Sequence, residues 1–226
     1  MLWSASKLDR FCCHRHTLSE LTPKPSRDKA AAKGKAFDAA LIDWHKTGIV
    51  PAMADPDVSE WLRIMVEHGW AWPDGCELQV AWGLDTFGAF CAVEEKPADS
   101  HIYVPLDGMS DLLTAGRADV LWMSGDVLIS PDWKSGRTAV PPARVNLQVN
   151  AAGIANAQRW KARAYQPAIY YAREGRWDVG EEVELGSDEH GEMLTQIEAA
   201  AKLDDKPHPG DHCASCWSRK DCSEAA

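Results

Sequence analysis

A chain of 226 residues with 45% apolar and 26% charged side chains can fill one sizeable core, and it holds no apolar run long enough for a membrane span. The formal net charge of −10 argues against broad adhesion to phosphate backbones and leaves a local basic groove open. Met1-Leu2-Trp3-Ser4 lacks a basic stretch leading into an apolar one, so no signal peptide is expected and a cytoplasmic location is.

In chain order, Ser4 or Ser6 can cap a first helix running to about Leu21, where Thr22-Pro23-Lys24-Pro25 breaks it. Ser26 caps a second helix over Arg27 to Lys46, ending before Gly48, with Phe37, Leu41 and Trp44 as one apolar stripe. Asp57-Val58-Ser59-Glu60 reads as a capping box for a third helix to His68. Glu77 to Trp82 predicts a short strand, and residues 84 to 110 are irregular with room for another near Cys91. Leu112 to Met123 and Val127 to Trp133 are two apolar runs joined by Ser124-Gly125-Asp126, a hairpin pattern. A helix from Arg144 to Arg163, a strand over Ala168 to Ala172 and a last helix from Gly186 to Leu203 follow. The order predicts an α/β fold, a mixed sheet flanked by helices.

Residues two apart on a strand share a face, so Asp132 and Lys134 point one way and Trp133 the other. Asp119 lies on the preceding strand of the hairpin, where a tight connection can bring its carboxylate beside that of Asp132. Two adjacent carboxylates are costly unless a cation lies between them, and hard oxygen ligands suit Mg²⁺ or Mn²⁺. A neighbouring lysine can position an attacking water or offset charge growing on a phosphate. Read singly, these residues are also ordinary strand-end charges.

The composite Gly116-Arg117-Ala118-Asp119-Val120, then Pro131-Asp132-Trp133-Lys134-Ser135-Gly136, resembles the PD-(D/E)xK nuclease superfamily, in particular the RecB-like exonucleases. The resemblance implies a restriction-endonuclease-like core. It assigns Asp119 and Asp132 as metal ligands, the Trp133 carbonyl as a further one, and Lys134 as the residue assisting the water. That family also carries a glutamine on the next helix, and Gln148 matches it, although the tyrosine expected four residues later is Ala152. By itself Gln148 reads equally as helix surface. In the earlier helix the family's Gly-x-x-x-His becomes Gly34-Lys35-Ala36-Phe37-Asp38, so Asp38 stands where a histidine ligand is usual. An aspartate can bind the same hard ion. His45 reads as surface, and Glu77 resembles an acidic residue near the site in some relatives while also fitting a half-exposed strand position.

Seven cysteines in a chain expected in a reducing compartment point to metal or redox chemistry rather than disulfides. Cys213, Cys216 and Cys222 have ligand spacing, and Cys12 or Cys13 can supply a fourth thiolate from the other end of the chain. Thiolates select zinc or an iron–sulfur cluster, with His14, His208 and His212 as other ligands for zinc. Cys76 and Cys91 stand apart and read as buried. One terminal cysteine plus this C-terminal set resembles the RecB-like nucleases, including CRISPR-associated ones, that hold a [4Fe–4S] cluster. Cys13-His14-Arg15 fits that pattern better than Cys12. With Ser4-Ala5-Ser6-Lys7-Leu8 the likeness spans nearly the whole chain, implying one nuclease domain over residues 1–226. Its cluster region is formed by an N-terminal helix within 1–25 and a tail over 207–226.

The implied activity is a metal-dependent DNA exonuclease acting on single strands or DNA ends. The settings implied are repair, recombination, phage replication or CRISPR adaptation, with protein partners from such a complex and no membrane. Lysines and arginines of the second helix, Arg137 and Arg144 are the expected phosphate contacts. A second class stays open, a non-catalytic DNA-end-binding or assembly subunit that keeps the fold. Of eleven tryptophans, Trp3, Trp44, Trp61 and Trp160 read as packing, and none is assigned to substrate.

Overall fold

The computed structural model describes residues 3–4, 28–96, 102–108, 111–136 and 140–202. Cys13, Cys213, Cys216 and Cys222, most of the expected first helix, and Arg137 lie outside the described residues. Trp3–Ser4 is a short strand, β1, rather than a helix cap: it pairs in parallel with Thr114 and Ala115.

Helix α1 spans Asp28–Thr47 and stops where Gly48 takes φ +71°, a left-handed backbone that glycine adopts without Cβ conflict. Phe37, Leu41 and Trp44 are buried, as their spacing predicts. Helix α2, Pro56–Glu67, is capped by Asp55, not by the expected box at Asp57. Asp55 accepts from Asp57 N at 2.9 Å and Val58 N at 3.3 Å. Pro56 explains the shift, because its fixed φ and missing N–H suit the first helical turn. Glu60, the would-be partner in the box, pairs with Arg63 instead.

The strands are β2 (Glu77–Asp85), β3 (Phe90–Cys91), β4 (Val93–Glu95), β5 (Tyr103–Pro105), β6 (Leu112–Ser124) and β7 (Val127–Lys134). Helix α3 (Leu147–Trp160) separates these from β8 (Ala164–Tyr171), β9 (Arg176–Val179), β10 (Val183–Glu184) and helix α4 (Asp188–Ala201). Among the described residues, the main sheet has eight strands in the order β10-β8-β7-β6-β2-β3, with β1 also on β6 and β9 on β8. It is mixed: β7 and β8 run parallel through the α3 crossover, while β2, β6 and β7 form an antiparallel set. β4 and β5 pair separately.

Helices cover both faces of this sheet. On one, α1 and α2 pack Phe37, Leu41, Trp61, Leu62 and Met65 against Val120, Trp133 and Tyr170. On the other, α3 and α4 pack Ile154, Met193 and Ile197 against Trp82, Leu121, Leu128 and Tyr165. The fold is therefore α/β with a central mixed sheet flanked by helices. Among the described residues, no helix is long and apolar enough to cross a membrane.

Several boundaries depart from the sequence reading. α3 starts at Leu147 rather than Arg144, because the Asn146 side chain caps it by accepting from Val149 N at 3.1 Å. It ends at Trp160 rather than Arg163, where Lys161 turns left-handed at φ 55°. β8 begins four residues before the expected Ala168, and β9 and β10 were not anticipated. Arg-Trp-Asp-Val of β9 is mostly exposed and shows no alternation for a pattern reading to find. Trp44 and Trp61 are buried, and Trp160 packs half-buried against the α3 side. Cys91 is buried as expected, but Cys76 is only half-buried. His45 is not a surface residue: it is half-buried, edge-on to Trp72 at 5.0 Å, with Nε2 3.3 Å from Cys76 Sγ.

Candidate functional site

The β6–β7 hairpin turns tightly through Gly125 (φ +64°) and Asp126, but its ladder is short. Pairing covers only Trp122 to Ser124 with Val127 to Ile129. Beyond that the strands splay. β6 continues alongside β2 and β1, and β7 alongside β8. Pro131 contributes to the split, since it has no N–H to donate to a ladder. Trp133 N, on the same strand edge two residues on, donates to Asp119 Oδ2 at 2.8 Å. The Asp119 carboxylate thus stands in for the missing strand partner. A strand residue presents its N–H and C=O to the same side, so the Trp133 carbonyl points toward the opening between β6 and β7, although Trp133 does not line it.

The opening is a cavity of about 160 Å³. Asp38 from α1, Arg117 and Asp119 from β6, Asp132 from β7, and Gln148 and Ala152 from α3 line it. Four of the expected site residues, Asp38, Asp119, Asp132 and Gln148, therefore share one wall-to-wall space. Lys134 joins them through contacts at its edge. Its Nζ is 2.6 Å from Asp132 Oδ2 and 3.4 Å from Gln148 Oε1. Gln148 Nε2 donates to Asp132 Oδ1 at 2.9 Å. Gln148 is half-buried and lines the cavity rather than lying exposed on the helix surface. Asn146 caps α3, which puts Gln148 in the first helical turn, where it reaches Asp132 of β7.

Asp132 Oδ2 is buried, and its partner is the Lys134 ammonium at 2.6 Å. That ammonium offsets the cost of burying the carboxylate oxygen. Burial, then the charge of Asp132, then that of Asp38, pushes the Asp119 carboxyl well above the usual carboxylate range, against a smaller opposing effect of the Trp133 N–H. Burial first, and Asp132 second, push Asp38 up to about 6, while Arg117 and Lys134 act in the opposite direction. Crowded, buried acids of this kind hold unfavourable charge that a bound proton or cation relieves. The donors are hard oxygens, which fit Mg²⁺ or Mn²⁺. Among the described residues no three His, Cys, Asp or Glu side chains close on a single point. The carboxylate oxygens on offer are those of Asp38, Asp119 and Asp132, which line the cavity.

Gly34, one turn before Asp38, faces the end of β7: a Cβ there would lie 3.6 Å from Ser135 Oγ, ordinary contact. This seats α1 over the site. Glu77 is elsewhere, in an ion pair with Arg159 at 3.0 Å. Arg144 is also elsewhere, lining a separate cleft with Glu181, Glu189 and Glu192, so it is not beside the carboxylates. On α1, Lys33 is engaged by Asp55 and Asp57. The sequence reading missed Gln79, whose Nε2 is 3.5 Å from Asp119 Oδ1. A strand glutamine carries no pattern that distinguishes it from a solvent-facing one.

No protein-family model and no curated protein matches the chain. Among solved structures it is similar to one described as "Crystal structure of SSO0001", at 14% identity and a TM-score of 0.43, over 100% of this chain and 87% of that one.

Proposed function

We propose that the chain is a metal-dependent deoxyribonuclease with a restriction-endonuclease-like core, most similar in its motifs to RecB-like exonucleases. The observation that carries this reading is that Asp132 and Gln148 line one cavity with Asp119 and both contact Lys134. Asp119, Asp132 and the Trp133 carbonyl would hold Mg²⁺ or Mn²⁺, with Asp38 as a further oxygen donor. When bound, such an ion polarises a phosphoryl oxygen and lowers the pKa of a water.

The chain's own residues do the rest. Gln148 bridges Asp132 and Lys134, which fixes the ammonium on the cavity side of β7. Lys134 is then placed to orient the attacking water and to offset charge on the phosphate as the P–O bond breaks. The cavity is small, with room for a phosphate, an ion and waters, so the rest of a DNA strand would lie outside it. The four cysteines carry the [4Fe–4S] part of the reading, with zinc as the alternative, by sequence alone. A broad visible absorption band with bound iron, or zinc in its place, decides between them.

The test is degradation of single-stranded and duplex DNA with Mn²⁺ by the wild type, Asp132→Ala and Lys134→Ala. The expected result is cleavage by the wild type and a loss on the order of a hundredfold or more in each variant. Equal degradation by all three would sink the assignment. Binding of DNA ends without cleavage by the wild type would favour the non-catalytic subunit instead.

A further inference from the structure

Gln79 sits in the middle of β2 with φ 55°, a left-handed backbone rare for any residue but glycine and rarer inside a strand. The register runs Leu78 to Val120 and Val80 to Ala118, which leaves Gln79 opposite Asp119. The two strands also change faces at this point. On β2, Val80, Trp82 and Leu84 pack on the α3 side, whereas Leu78 packs on the α1–α2 side. On β6, Ala118 packs on the α3 side and Val120 on the other. Residues two apart on a regular strand share a face, so both strands turn over at the Gln79–Asp119 position.

We propose that Gln79 is a positioning residue for Asp119, an inference that rests on the nuclease reading for its purpose. Its left-handed backbone turns the β2–β6 pair over, which swings Asp119 into the split between β6 and β7. Its amide then faces the Asp119 oxygen that Trp133 N leaves free. Trp133 N holds Oδ2 at 2.8 Å and Gln79 Nε2 stands 3.5 Å from Oδ1. The second contact is long, so it orients the carboxylate more than it binds it. Strain of this kind persists where surrounding structure enforces it, and it concentrates at functional sites. Glycine would take the same backbone freely. The residue present instead is an unbranched amide that reaches the acid.

The test uses Gln79→Gly and Gln79→Val with two readouts beside cleavage. The first is hydrogen exchange of the Trp133 amide in chelator, which reports whether Asp119 is in place with no metal present. The second is Mn²⁺ affinity, compared with turnover at saturating Mn²⁺. Gln79→Gly keeps the backbone, so Trp133 protection and saturated turnover should stay near wild type while Mn²⁺ affinity falls about tenfold, as for lost supporting hydrogen bonds. Gln79→Val, β-branched and unsuited to positive φ, should lose Trp133 protection as well. Gln79→Gly binding Mn²⁺ as the wild type does would overturn the proposal, and so would Gln79→Val retaining full Trp133 protection. If the valine variant does not fold, the glycine variant decides. Loss of Trp133 protection in Gln79→Val beside a wild type that cleaves no DNA would leave the positioning intact and remove the nuclease reading.

Discussion

Gly153→Ala tests how α3 is seated, and with it the placement of Gln148. A Cβ at this position would lie 2.3 Å from Tyr165 Cδ2 and 2.9 Å from Cε2. Ordinary carbon contacts begin near about 3.5 Å, so helix and ring must part by about 1 Å. Tyr165 cannot swing aside freely: it is fully buried and its hydroxyl donates to Asn150 Oδ1 at 3.1 Å. Overpacking of this kind costs about 1–3 kcal/mol, and a loosened Tyr165–Asn150 bond adds about 1 kcal/mol. Alanine's better helix propensity returns about 1 kcal/mol. The net expectation is about 2 kcal/mol of destabilisation, a fall in Tm of about 4–8 °C for a chain of this size. Thermal melts of Gly153→Ala, Tyr165→Leu and the double variant measure it. The double variant should cost less than the sum of the singles, because the leucine removes the ring atoms that the new methyl meets. A Gly153→Ala protein as stable as the wild type would refute the close approach of α3 to β8.

Three further outcomes follow from the same structure. Asp38, with its carboxyl raised to about 6, binds more protons folded than unfolded. Its contribution is therefore present at low pH and lost as pH rises through about 6, and Asp119 adds in the same direction. In chelator, Asp38→Asn should flatten the decline in Tm between pH 4 and 7 (roughly the window set by this linkage), and identical slopes in both proteins would contradict it. Mn²⁺ affinity of the wild type should fall as pH drops through about 6, because ligands must shed protons to bind; isothermal titration at several pH values checks this. Asp55→Ala should cost about 1 kcal/mol in urea denaturation, with Asp55→Ser recovering most of it, since the cap needs only a side-chain oxygen for Asp57 N and Val58 N.

Much of the frame was legible in the residues themselves. The α1 stripe, the β6–β7 hairpin and the strand pair carrying Asp119 and Asp132 all follow from periodicity and turn chemistry, which are local. So does the shared face of Asp132 and Lys134. The sequence alone also carries the cysteine pattern, whose residues lie outside those described. What needed the tertiary structure is whatever depends on two distant segments meeting. The splay of β6 from β7, which turns Asp119 into the partner of Trp133 N, arises because each strand finds its other neighbours, β2 and β8. Gln148 changes from a helix residue into a bridge between Asp132 and Lys134 only when α3 crosses over β7. Gln79 is the extreme case: its left-handed backbone and its contact with Asp119, forty residues away in the chain, appear only once β2 and β6 pair, and no residue pattern encodes them. The two acids and the lysine could be read as a hairpin from the chain. That the two acids share one cavity with a third acid, with Gln148 joining Asp132 to the lysine, is a property of the packed sheet.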